Sequence, residues 1–203
     1  NLSAFKISAS DVSKVAQILR QQTAVSINAS NGNLMDATGL QIAGVLDDLF
    51  SYKGDLGVIY ANGNPSLKLW APTAASIKLH LYDQPSGGSE TSSVAMQFDA
   101  ATGVWTATGD ASWNRKYYLY EVEVYSRPTG HIEHYWVTDP YSLGLSTNGQ
   151  RSLIVNLSDA DLKPEGWDSL AKPVLNAPED IAIYELHIRD FSIIDNSVPE
   201  AER

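Results

Sequence analysis

The chain has 203 residues, enough for one or two domains. Its 43% hydrophobic and 19% charged content is that of a folded chain rather than a disordered one. A net charge of -10 argues against nucleic acid as a partner, and no apolar run approaches the roughly 20 residues of a membrane span. With no cysteine there is no disulfide, zinc–thiolate site or thiol nucleophile.

The sequence opens on Asn1-Leu2-Ser3 with no charged and apolar leader after it. That reads as a leader already removed or as a segment of a longer chain. Ser10 precedes Asp11, and Val12, Val15, Ala16 and Leu19 follow at helical spacing, which predicts a capped amphipathic helix. Val25 and Ile27 alternate with polar neighbours as in a half-buried strand, and Asn31-Gly32 before Leu34 and Met35 predicts a hairpin turn. Gly44 to Phe50 reads as a short helical turn. Residues 1–53 thus look like the α+β tail of an upstream domain.

From Gly54 onward short β-type runs recur between turns. They are Ser66 to Trp70, Ile77 to Tyr82, Val94 to Phe98, Val104 to Thr106, Tyr118 to Val124, His131 to Val137 and Ser152 to Leu157. Short alternating strands with turns between them predict a mainly β fold, an immunoglobulin-like β-sandwich over residues 54–160. In the second run Ile77, Leu79 and Leu81 face one way, and Lys78, His80 and Tyr82 the other. The loop Gln84 to Ser89 is a hairpin connection. Residues 161–180 carry Pro164, Pro173 and Pro178 and read as an ordered linker with Trp167 as an anchor. Ile181 to Ile188 is β-rich and largely apolar, as a strand buried on both faces would be.

Five segments, in order, carry a family resemblance. Thr38 to Phe50 resembles the segment before the accessory module in plant limit dextrinase and related bacterial pullulanases. Leu69-Trp70-Ala71-Pro72-Thr73-Ala74 resembles the start of glycogen-binding-type carbohydrate-binding modules, and Asp139-Pro140-Tyr141-Ser142 with Ser146 to Gly149 resembles their exit. Leu162 to Asp168 is similar to the module-to-barrel linker. Tyr184-Glu185-Leu186-His187-Ile188-Arg189-Asp190-Phe191-Ser192 is similar to the first barrel strand of pullulanases and limit dextrinases. The resemblance implies that residues 181–203 begin a catalytic (β/α)8 barrel. The parent enzyme would be a retaining glycoside hydrolase cleaving α-1,6 linkages in pullulan, amylopectin or limit dextrins. Its catalytic carboxylates would sit on later barrel strands, so none is carried over onto this sequence. It also implies an extracellular, periplasmic or cell-surface address for a bacterial source, and a plastid for a plant one.

Glucan binding calls for aromatic rings, because a sugar's C–H face stacks on them. Trp113, beside Asn114 and Arg115 in a turn, is the best exposed candidate, with Trp136, Trp70 and Tyr82 beside it. Trp105, Tyr118 and Tyr120 read as core. Tyr184, His187 and Arg189 are expected to support the barrel strand. The paired acids Asp47-Asp48 and Glu121 with Glu123 read as solvated or ion-paired rather than catalytic. No oxygen-rich loop has regular calcium-ligand spacing, so no cofactor is expected in this segment, while calcium stays open for the parent enzyme. The expected partners are an α-glucan and the catalytic barrel of the same polypeptide. Two other readings remain: a free-standing glucan-binding module, and a purely structural domain that supports a barrel.

Overall fold

The computed structural model describes residues 6–202, the side chains of 188, 189 and 202 excepted. The chain divides into two compact units, Asn1–Ser158 and Asp159–Arg203. Among the described residues no helix is long and apolar enough to cross a membrane.

The first unit begins with a 3-10 turn, Ala9–Lys14, that runs into the single α-turn α1 (Val15–Ile18). The expected capped helix is therefore mostly 3-10. Ser8, not Ser10, holds the N-cap position and makes no side-chain cap bond. Strands β1 (Ala24–Asn28) and β2 (Leu34–Gly39) form the expected hairpin, with Gly32 in the left-handed region at the turn. The half-buried strand expected at Val25 and Ile27 is corrected: both strands are exposed along their whole length, because no second layer covers the pair. Helix α2 (Ala43–Leu49) follows and delivers Phe50 into a buried position.

The sandwich comprises β3 (Gly57–Ala61), β4 (Asn64–Trp70), β5 (Ser76–Tyr82), β6 (Ser92–Ala95), β7 (Gln97–Asp99), β8 (Val104–Thr108), β9 (Tyr117–Ser126), β10 (His131–Val137) and β11 (Ser152–Leu153). One sheet runs β10-β9-β5-β6 with β11 beside β9, and the other runs β3-β4-β8-β7. All of their pairings are antiparallel, as expected for a sandwich with one wet face per sheet. Two details were not expected. Strand β3 was not foreseen, and Val94 to Phe98 is not one strand. The chain crosses between sheets at buried Met96, so β6 pairs with β5 while β7 pairs with β8.

Between the sheets lie Leu67, Leu69, Ile77, Leu79, Leu81, Trp105, Tyr118, Tyr120 and Ile154. Trp105 is in the core as expected, its indole N–H donating to the Ala71 carbonyl at 2.9 Å. The hydroxyls of Tyr118 and Tyr120 both donate to Asp139 Oδ2, at 2.8 and 3.1 Å. The Asp139 backbone N–H donates to Ser152 Oγ at 2.9 Å. The Asp-Pro-Tyr-Ser motif is thus a polar clasp on the core, and burial raises the Asp139 carboxyl above its ordinary value.

Parts of residues 6–53 touch the sandwich within the first unit. Arg20 lies over the Phe98 ring at 4.2 Å and donates to the Pro72 carbonyl, and Arg127 donates to the Leu40 carbonyl at 2.8 Å.

The second unit has short 3-10 turns at Ala160–Leu162, Trp167–Ser169 and Pro178–Asp180, helix α3 (Ile188–Ser192) and a last turn at Glu200–Glu202. Its described residues contain no strand. Residues 181–187, expected as a strand to be closed by barrel partners, join no sheet among the described residues, because a strand needs a neighbour's N–H and C=O groups. Trp167, expected as an anchor, is 61% exposed.

Candidate functional site

The outer face of the β9 sheet gathers the polar alternates of three strands. Register sets Lys78 of β5 on one side of Glu121 of β9 and Trp136 of β10 on the other. His80 and His134 complete the group from the flanking strands. Glu121 Oε2 lies 3.0 Å from His80 Nε2, and Oε1 lies 3.0 Å from His134 Nδ1. Lys78 Nζ is 3.7 Å from Oε2. Glu90, in the connection before β6, reaches His80 Nδ1. Both nitrogens of His80 therefore face carboxylate oxygens, which only accept. The hydrogen bonds from His80 are the main reason the carboxyls of Glu121 and Glu90 are held below their ordinary range.

His80 occupies an outward register position yet is only 4% exposed. The Trp136 indole covers it, with ring centroids 4.1 Å apart and the planes tilted by 42°. Trp136 itself is 50% exposed. One side of the indole rests on a buried imidazole, itself held by two carboxylates, and the rest meets solvent. The exposed part of the ring is thus bordered by hydrogen-bonding groups.

The other sequence-derived candidates lie elsewhere. Tyr82, two residues beyond His80, is 7% exposed; the Arg151 guanidinium sits 3.6 Å over its ring and donates to the Gln84 carbonyl at 2.7 Å. That face of the phenol is already occupied by a cation. Trp113 is not the exposed ring expected from its turn. It lies over Gly109 and packs, half-buried, on the sandwich core. Trp70 is on the outer face of the β4 sheet, where its indole N–H donates to the Phe50 carbonyl at 2.8 Å. Tyr184 and His187 are exposed in the second unit, where His187 faces Asp190 at 3.4 Å; the Arg189 side chain lies outside the described residues. The structure therefore brings Trp136 into a polar cluster and leaves Trp70 and Trp113 apart from it.

His80, Glu90 and His134 were not singled out from the sequence, and Glu121 was read as a solvated acid. The one available signal was alternation, which sets His80, Glu121 and Trp136 on outward positions without saying which strands are neighbours.

Comparison with known proteins gives a consistent set. Residues 1–48 match the family model described as Pullulanase N2 domain, and residues 55–142 match Carbohydrate-binding module 48 (Isoamylase N-terminal domain). The chain is 44% identical over 191 residues to Pullulanase 1, chloroplastic, of Arabidopsis thaliana, a match that covers 93% of this chain and 20% of that protein. It resembles the crystal structure of Klebsiella pneumoniae pullulanase complexed with maltotriose, with a TM-score of 0.81, 35% identity, and coverage of 93% of this chain and 18% of that one. Pullulanase from Paenibacillus barengoltzii, solved in complex with maltohexaose and alpha-cyclodextrin, matches with a TM-score of 0.62 and 34% identity over 76% of this chain and 23% of that one. The chain thus spans about a fifth of the length of these relatives.

Proposed function

From a chain that joins a pullulanase N2 domain to a carbohydrate-binding module 48, as the N-terminal region of pullulanases does, we propose the N-terminal accessory segment of a starch-debranching hydrolase. The whole enzyme would cleave α-1,6-glucosidic linkages in pullulan, amylopectin or limit dextrins, and this segment would bind α-glucan without cleaving it. The observation that carries the binding role is Trp136, half exposed and held over His80 on a face rich in hydrogen-bonding groups. Sugar C–H groups would stack on the indole while hydroxyls meet Glu121, His134 and Lys78.

The three carboxyls Glu90, Glu121 and Asp139 fit the non-catalytic part of this reading. Retaining cleavage uses one ionised carboxylate and one protonated acid across the bond. The hydrogen bonds from His80 lower the carboxyls of both Glu121 and Glu90, so neither is shifted toward an acid's role. Asp139, whose carboxyl is raised, is enclosed by Tyr118 and Tyr120 and 3% exposed, out of a glucan's reach.

A second reading, structural support of a barrel, is favoured by a different observation. Ile181, Ile183, Tyr184 and Leu186 are exposed one after another, a surface suited to burial against further polypeptide. Affinity electrophoresis in pullulan and amylopectin gels separates the two. Glucan binding predicts retardation of the wild-type chain and a marked reduction of it in Trp136→Ala at unchanged melting temperature. Mobility unaffected by either glucan would remove the binding role and leave the supporting one.

A further inference from the structure

A second aromatic cluster lies on the opposite sheet, where α2 and the segment after it meet the outer face of β4. Asp47, Phe50, Ser51, Tyr52, Trp70 and Tyr141 line a cleft of about 320 Å³ there, near the lower end of the roughly 300–1,000 Å³ of small-ligand sites. We propose that this cleft is a separate α-glucan subsite that takes one or two glucosyl rings of a maltooligosaccharide. The inference rests on the glucan-binding reading above but uses none of its residues.

Two of the rings are held by side-chain hydrogen bonds, and the backbone of a third is anchored. The Trp70 indole N–H is committed to the Phe50 carbonyl at 2.8 Å, so the ring offers a ligand only its apolar surface. Lys68 Nζ donates to the Tyr52 hydroxyl at 3.0 Å. Tyr141 is pinned through its backbone. Its N–H donates to Asp139 Oδ1 at 2.8 Å, and its Cβ and carbonyl oxygen lie 2.9 Å from where a Cβ on Gly57 would stand. Gly57 has φ +80, so a side chain at that position would be strained as well as obstructed. Rings fixed before binding lose little freedom when a ligand arrives.

Against this apolar floor, polar groups remain unspent. Among the described residues, the Asp47 carboxylate, the Ser51 hydroxyl and the Tyr141 hydroxyl have no hydrogen-bond partner within the chain. Their acceptors and donors suit sugar hydroxyls. Asp47 lines the cleft and the Lys68 ammonium is bonded to the Tyr52 hydroxyl of its lining, so one charge of each sign stands at or beside it, an arrangement that suits a neutral polyol.

The test is a titration of the isotope-labelled 203-residue chain with maltotriose, following the separate indole N–H signals of Trp70 and Trp136 by NMR. The Trp70 signal and the amides of Ser51 and Tyr141 are expected to shift along one saturating curve. The Asp47→Ala/Tyr141→Ala double variant should weaken that curve by about tenfold or more, with the Trp136 curve and the melting temperature unchanged. A moving Trp136 beside a stationary Trp70 overturns this inference and leaves the β9-sheet reading standing. Movement of Trp70 alone does the reverse, and two stationary signals remove both. A Trp70 shift caused by tetramethylammonium at lower concentration than by maltotriose would overturn the assigned ligand class.

Discussion

Strand β5 and the stretch 181–187 have similar residues and different surroundings. In β5, Ile77, Leu79 and Leu81 lie between β6 and β9, facing the second sheet at 2% exposure or less. In the later stretch Ile181, Ile183 and Leu186 join no sheet, and Ile183 is 87% exposed. β-branched and apolar side chains favour a strand in both places. Only in the first do neighbouring backbones accept and donate the ladder bonds and a facing layer remove the side chains from water. A strand is a property of its partners as much as of its own residues.

This contrast can be broken or sharpened by measurement. Leu79 is 0% exposed, and Leu79→Ala should cost about 2–5 kcal/mol in chemical denaturation. A loss under 1 kcal/mol would mean that the core is far looser than its burial implies. Next in size is Asp139→Ala, which strands the buried hydroxyls of Tyr118 and Tyr120. Relief of a buried charge offsets part of that loss, leaving a net cost of about 1–3 kcal/mol. A more stable variant would show that the clasp costs more than it contributes.

A smaller effect concerns pH. The folded Glu121 carboxyl is lowered from 4.5 by its hydrogen bond from His80. Its contribution is therefore present above that value and lost as pH falls through the folded one. Asp139 is raised and runs the other way, its contribution present at low pH and lost as pH rises through its folded value. Melting temperature followed from neutral pH to below 4 should fall less steeply in Glu121→Gln than in the wild type. Parallel curves would show that the His80 contact adds no net stability. Smallest of all is Ile183→Ala, expected to stay within about 0.5 kcal/mol because the side chain loses almost no burial. A loss comparable with that of Leu79→Ala would erase the contrast between the two stretches.

The sandwich was legible because its signals are local. Alternation in Ile77 to Tyr82 sent the right side chains inward, and Asn31-Gly32 closed the hairpin where it was expected. The candidate site was legible only in part. Trp136 was picked out by residue type, but Trp113, chosen for a polar turn, packs on the core, and Tyr82 lies beneath Arg151. Turn composition does not reveal what lies below the turn, and a ring's outward position does not reveal which side chain will cover it.

Residue order by itself determined the alternation of the strands, most of the turns between them and the identity of the buried tyrosines, because each follows from spacing along a few residues. Tertiary structure alone decided that Val94 to Phe98 divides between two sheets, and that His80 meets Glu121 across 41 positions of sequence. It also decided that the rings after α2 converge on Trp70. The physical reason is that cross-strand register and the docking of one segment on another join groups far apart in the chain, and no local periodicity records which of them become neighbours.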